Sequence, residues 1–156
     1  MGSIVIGLIL LYLYRFNLGF FDLLIAILLS FIIGLPAVYL GKKFILDIWG
    51  PAERHTGKVT SDDFNEICID EVHGMLISVL PIYFFNFGFV EFFLLHLVAF
   101  FSFRFFDSKK IGPVKRIEET DNLPSSMKIM LDDSIAGILA LIATSLMTIF
   151  VQFVNI

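Results

Sequence analysis

The sequence predicts an all-α membrane protein, a polytopic helical bundle of about five hydrophobic helices with a short first helix. Hydrophobic residues make up 58% of the 156-residue chain and charged residues only 17%, whereas soluble domains are about 25% charged. The mean hydropathy is +0.89. Because backbone groups in lipid must form internal hydrogen bonds, apolar runs of spanning length are expected to be helices and not open strands.

Five hydrophobic segments follow one another along the chain, and two longer polar stretches, residues 42–66 and 108–128, interrupt them. The segments are residues 1–14, 23–41, 72–90, 89–107 and 134–156. About 20 residues are needed to cross the hydrocarbon core, so four of the five have roughly the required length. We treat residues 1–156 as a single integral-membrane domain.

The basic residues predict how the chain is oriented. The two polar stretches hold nine of the 11 Lys and Arg residues, and the opposite connections hold only Arg15. Cytoplasmic loops carry the excess of Lys and Arg. With five helices both polar stretches fall on the same side, which places the N-terminus inside and the C-terminus outside.

This topology brings five carboxylates from distant parts of the sequence to the cytoplasmic interface. Two enter the third segment, one leaves the fourth and two enter the fifth: Asp70, Glu71, Asp107, Asp132 and Asp133. Like charges at one depth raise each other's pKa values unless a cation holds them. Mg²⁺ prefers oxygen ligands and bridges one or two carboxylates to a phosphate. Arg104 and Lys110 lie close to Asp107 in sequence, and their positive charges could bind an anionic phosphate group there.

Simpler explanations exist for each of these residues. The paired acidic residues at Asp70 and Asp132 can cap helix N-termini. Arg104 and Asp107 are spaced for an ion pair on one helix face. For His73 and His96 we favour helix packing over metal ligation.

Three motifs in a fixed order resemble the phosphatidylglycerophosphatase A family. They are EICIDEVHGM (66–75), FRFFDSKKIGPVKR (103–116) and IMLDDSIAG (129–137). The similarity covers most of the chain from about residue 60 onward. Upstream, only Gly2 and Ser3 match a Pro-Gly-Thr-x-Gly-Ser element of that family. A Lys-Pro-Trp-Pro run common in the family is Lys-Ile-Gly-Pro here, beginning at Lys110.

The resemblance implies an all-helical, Mg²⁺-dependent enzyme of the bacterial inner membrane. It would hydrolyse the terminal phosphate of phosphatidylglycerophosphate to give phosphatidylglycerol, a step of phospholipid biosynthesis. We expect the five carboxylates to be catalytic and to hold Mg²⁺, with Lys110 and Arg104 binding the phosphate. Either a metal-activated water or an aspartate attacks phosphorus. The expected partners are an anionic phospholipid and the membrane, with no nucleic acid.

Other functions fit the sequence less well. A related enzyme acting on a different lipid phosphate stays open, because the motifs do not specify the head group. A CDP-alcohol phosphotransferase needs an Asp-Gly-x-x-Ala-Arg motif that the sequence lacks. A small ion or metal transporter predicts polar residues deep in the spans, and these are few: Ser30, Ser78, His96, Thr144 and Ser145.

Overall fold

The computed structural model describes residues 2–13, 19–49, 68–118 and 123–154, and its regular elements in these ranges are all helical. The α-helices are α1 (Gly2–Leu13), α2 (Phe20–Trp49), α3 (Ile69–Val79), α4 (Phe89–Lys109), α5 (Pro113–Glu118) and α6 (Ser125–Val154). The predicted all-α class is confirmed. The two polar stretches differ, since residues 50–67 lie outside the described part whereas the second stretch contains α5 and the start of α6.

Within the described ranges three helices are long and apolar enough to cross a membrane, which indicates a membrane protein. The candidate spans are Phe20–Gly41, Phe89–Lys109 and Ser125–Val154. Large apolar side chains on all three are exposed, among them Leu28, Phe101 and Phe150. Outward-facing apolar side chains are what a hydrocarbon environment favours. The predicted count of about five spanning helices is not confirmed.

The third hydrophobic segment differs most from the prediction. Residues 72–90 were expected to form one helix, but α3 ends at Val79 and continues as a short 3₁₀ helix, Leu80–Phe84. Phe85 then has an extended backbone. Pro81 lies at the start of the 3₁₀ helix. Its missing N–H removes an α-helical hydrogen bond, and its ring clashes with the preceding turn, so α3 does not continue.

Helix α3 lies at the centre of the bundle, where it packs against α1, α2, α4 and α6. It crosses α6 at two glycines in very close contact. A Cβ atom added to Gly137 would lie 2.5 Å from the carbonyl oxygen of Gly74. Glycines at helix crossings in membranes let two backbones approach closely. This crossing fixes the position of the acidic first turn of α3 relative to α6.

Candidate active site

The structure brings the five predicted carboxylates to one end of the bundle. Asp70 and Glu71 lie in the first turn of α3, and Asp107 lies in the last turn of α4. On α6, Asp133 interacts electrostatically with the other four, Asp70, Glu71, Asp107 and Asp132. Helices α3 and α6 start at this end and α4 finishes there, as the predicted topology requires.

Asp133 is the most deeply placed member of this acidic cluster. Only 6% of the residue is exposed, and its backbone carbonyl faces Gly74 at the α3–α6 crossing. The carboxyl groups of Asp133 and Asp107 lie close enough to interact. The close helix crossing therefore places an α6 carboxylate directly against one from α4.

Asp132 and Asp133 do not cap a helix, because α6 begins at Ser125 and not near residue 134. The two aspartates lie in its third turn, where backbone N–H groups already have intrahelical partners. The capping alternative is wrong for this pair. At Asp70 the alternative holds in part, because its Oδ1 accepts a 2.9 Å hydrogen bond from the Glu71 N–H.

Glu71 is held by two other helices. Its Oε2 accepts hydrogen bonds from the Ser3 backbone N–H at 3.1 Å and from the Ser3 hydroxyl at 3.2 Å. Its Oε1 accepts a 3.1 Å hydrogen bond from Arg104 Nη1. The carboxylate thereby connects the start of α1 to α4.

Arg104 lies between two carboxylates. The nitrogen that contacts Glu71 also lies 3.0 Å from Asp107 Oδ2. The predicted ion pair between Arg104 and Asp107 is confirmed, but it is part of a network that reaches Glu71. The guanidinium, predicted to bind phosphate, is engaged by both acids.

Lys110 ends α4 in a left-handed backbone conformation, with φ 46° and ψ 51°, and its N–H bonds to the Phe106 carbonyl. Few residues other than glycine adopt this conformation. It directs the chain toward Gly112, whose φ is 62°, and the start of α5. The Lys110 ammonium lies 3.1 Å from Asp132 Oδ2, so a positive charge borders the acidic cluster.

Asp70 and Glu71 are adjacent, yet their pKa values shift in opposite directions. Burial, with the nearby charges of Glu71 and Asp107, raises the pKa of Asp70 from 3.8 to about 6. Burial also disfavours the Glu71 carboxylate, but donors and positive charges around it, Ser3 and Arg104 among them, lower its pKa from 4.5 to about 2. Glu71 is therefore well satisfied as an anion, whereas a cation would relieve Asp70.

The two histidines near the bundle core are packing residues, as predicted. His73 is 4% exposed, and its Nδ1 lies 2.7 Å from Ser30 Oγ on α2. Ser30 donates its hydroxyl hydrogen to the Ile27 carbonyl, which leaves His73 to donate to Ser30. His96 is 3% exposed, and its Nδ1 lies 2.9 Å from the Phe92 carbonyl.

A family comparison decides between the classes of protein that this geometry allows. A model of the family described as phosphatidylglycerophosphatase A matches residues 1–148, nearly the whole chain. The chain belongs to the phosphatidylglycerophosphatase A family. Searches among curated proteins and among solved structures each found no match.

Membership of the phosphatidylglycerophosphatase A family confirms the prediction of an enzyme, a phosphoric monoester hydrolase of phospholipid metabolism. The family implies phosphatidylglycerophosphatase activity, a phospholipid substrate and association with the membrane. A transporter is not supported. The match also begins upstream of the three motifs and includes α1.

Ser3 is the residue of this site that motif analysis did not assign a role. It is 1% exposed and lies next to Gly2, where an added Cβ would meet the Cys68 backbone. The available signal was the match of Gly2 and Ser3 to the family's N-terminal element. No local pattern pairs Ser3 with Glu71, because 68 positions separate them.

The donor chemistry of the acidic cluster fits Mg²⁺. In the described ranges no group of three or more potential ligands converges in a geometry ready to hold a metal. Mg²⁺ does not require such a cage, because it usually takes one or two carboxylates and completes its shell with water and phosphate oxygens. Asp107 and Asp133 supply neighbouring oxygen donors, and a cation would offset the burial and the nearby negative charges that raise the pKa of Asp70.

Proposed function

We propose that this chain is a Mg²⁺-dependent phosphatase that removes the terminal phosphate of phosphatidylglycerophosphate and leaves phosphatidylglycerol. One observation carries the proposal. Carboxylates from α3, α4 and α6 meet at the end of apolar helices, with Lys110 at their edge. A lipid phosphate reaches the same depth, since its acyl chains stay in the hydrocarbon and its head group lies at the interface.

We place this site at the cytoplasmic face of the cell (inner) membrane. Lys109, Lys110, Lys115 and Arg116 follow one another where α4 ends and α5 begins, next to the acidic cluster. Lys and Arg near the ends of spans favour the cytoplasmic side. They also attract an anionic head group, which supports a substrate with more than one phosphate.

Five carboxylates would supply the ligands of Mg²⁺: Asp70, Glu71, Asp107, Asp132 and Asp133. The chemistry supplied by a bound ion would be that of a Lewis acid, which lowers the pKa of a water and stabilises charge on a phosphoryl group. The chain positions the remaining components. Arg104 forms an ion pair with Asp107, and the α3–α6 crossing places Asp133 next to Asp107. Lys110 presents its ammonium at the cluster, where an incoming phosphate competes with Asp132 for a charge-assisted hydrogen bond.

Phosphate release from the purified protein in detergent, with phosphatidylglycerophosphate as substrate, tests the proposal. We expect release that requires Mg²⁺ and stops with EDTA. Phosphatidic acid measured in parallel tests the head group. Faster release from phosphatidic acid would indicate the alternative lipid-phosphate substrate. No release from either lipid, by protein that still melts cooperatively, would contradict the proposed reaction.

A further inference from the structure

Glu71 differs from the other carboxylates of the acidic cluster in how completely its oxygens are used. A carboxylate has about four lone-pair sites. Three hydrogen bonds to Glu71 come from Ser3 N–H, Ser3 hydroxyl and Arg104, and they occupy both of its oxygens. A metal ion at Glu71 would have to share an oxygen that already accepts from one of these donors.

The surroundings of Glu71 also oppose a cation. The guanidinium nitrogen of Arg104 lies 3.1 Å from Glu71 Oε1 and Ser3 donates twice to Oε2, so a divalent ion at either oxygen would meet a positive charge or a donor at close range. Asp70 has the opposite environment. Its neighbours include the carboxylates of Glu71 and Asp107, which favour a cation.

The contacts of Glu71 lead to Asp107. Ser3 holds Glu71 from α1, Glu71 holds Arg104, and the same Arg104 nitrogen lies 3.0 Å from Asp107 Oδ2. Asp107 is in turn in contact with Asp133. These contacts connect α1, α3, α4 and α6 in turn, and the last of them joins the carboxylates of Asp107 and Asp133.

We propose that Glu71 is a positioning residue and not a ligand of Mg²⁺, and that Ser3 and Glu71 act together to set Arg104 and, through it, the Asp107 carboxylate. This rests on the proposed function, because it divides the proposed metal-binding set into carboxylates that hold the ion and one that orients them. The start of α1 becomes part of the active site.

The test compares two isosteric neutralisations in the same helical turn, Glu71→Gln and Asp70→Asn, in full-length protein in detergent. Melting temperature is measured in EDTA and then during titration with Mg²⁺. Neutralising Asp70 removes a charge buried among like charges, so we expect a higher metal-free melting temperature and a smaller Mg²⁺-induced rise. Neutralising Glu71 breaks a satisfied contact, so we expect a lower metal-free melting temperature and a Mg²⁺-induced rise equal to that of the unmodified protein.

Turnover separates positioning from a merely structural role. We expect Glu71→Gln to lower kcat per folded molecule by about 10- to 100-fold, the usual effect of removing a partner of a metal-ligating group. The Mg²⁺ concentration for half-maximal rate should stay within about threefold. Ser3→Ala removes one of the donors to Glu71, so it should shift kcat in the same direction by a smaller factor. This second variant serves if Glu71→Gln folds poorly.

Two results would overturn the inference. Loss of the Mg²⁺-induced rise in Glu71→Gln would make Glu71 a ligand, and an unchanged kcat in both variants would make Ser3 and Glu71 structural only. Failure of the proposed function looks different, because the unmodified protein would then release no phosphate while the melting comparison still reports on metal binding.

Discussion

The two ends of the bundle treat buried polar groups in opposite ways. At the end that contains the acidic cluster, carboxylates contact cationic side chains and one another. Toward the other end, about 16 Å along α4 from Asp107 at 1.5 Å per residue, His96 and Tyr83 lie against each other with ring centroids 5.9 Å apart. Among the described residues, the Tyr83 hydroxyl and His96 Nε2 have no hydrogen-bond partner. One end concentrates charged side chains, and at the other end polar rings pack against each other.

The largest expected effect tests whether catalysis is confined to the charged end. Asp107→Asn or Asp133→Asn keeps the shape of the side chain but removes a charge proposed to hold Mg²⁺. Because replacing an outer partner already costs about 10- to 100-fold, we expect phosphate release to fall by more than about 100-fold. Unchanged turnover in either variant would place the chemistry elsewhere.

Lys110 offers a second test at the same end. Lys110→Gly keeps the left-handed backbone, which glycine adopts without strain, and removes the ammonium near Asp132. A charge-assisted hydrogen bond is worth about 1.5–3 kcal/mol, so kcat/KM should fall by about 10- to 100-fold. Lys109→Ala, at an exposed neighbour, is the matched control. Equal losses in both variants would mean that only general surface charge matters.

The α3–α6 crossing tests whether packing maintains the charged end. Gly137→Ala places a Cβ 2.5 Å from the Gly74 carbonyl oxygen, and overpacking of this kind costs about 1–3 kcal/mol. We expect a lower melting temperature together with reduced activity. Gly7→Ala is the control, since the nearest atom to its added Cβ is 4.0 Å away. Its stability should stay equal or rise by up to about 1 kcal/mol.

A pH titration without metal should show the destabilising effect of buried negative charge at the charged end. The pKa of Asp70 is about 6 in the folded protein against an ordinary 3.8, so the folded state binds the proton more tightly, and stability falls as pH rises between these values. Glu71 has the opposite sign, with a pKa lowered from 4.5 to about 2. Its contribution is lost as pH falls through that range and is complete above pH 4.5.

The window from pH 4.5 to about 6 therefore includes the titration of Asp70, and the Asp70→Asn variant isolates its share. In EDTA we expect the melting temperature to decrease across it, and Asp70→Asn should flatten the decrease. A slope that is the same in the variant would assign the titration to another group.

The smallest effect belongs to the uncharged end. Tyr83→Phe removes a buried hydroxyl that has no partner among the described residues. Leaving such a group unsatisfied carries a desolvation cost, so we expect stability to be unchanged or higher by up to about 1 kcal/mol, with activity within twofold. A larger loss of activity would show that the two ends are coupled, and the uncharged end would then contribute to catalysis as well as to packing.

The clustering of carboxylates at one end could be predicted from sequence because it depends only on the order and direction of the helices. Alternating spans and the positive-inside rule place Asp70, Asp107 and Asp133 at one interface, whatever the packing details. The motifs that carry these residues then point to the family. Neither step requires knowing which side chains touch.

Packing and pairing were less predictable. Pro36 lies inside α2 without ending it, whereas α3 gives way to a 3₁₀ helix at Pro81. The same residue type has two outcomes, because neighbouring helices decide whether the freed backbone groups find new partners. The contact of Ser3 with Glu71 depends on α1 lying beside α3, and the ion pair of Lys110 with Asp132 depends on α6 lying beside the end of α4.

The early end of α3 has a consequence for how the protein is assembled. Eleven residues of α-helix reach only about 16 Å, about half the hydrocarbon thickness. Such a short segment, with two acidic residues in its first turn, would insert poorly into a bilayer on its own. We expect it to enter together with α4 as a helical hairpin during synthesis, so that the central helix of the bundle depends on its neighbour to reach the membrane.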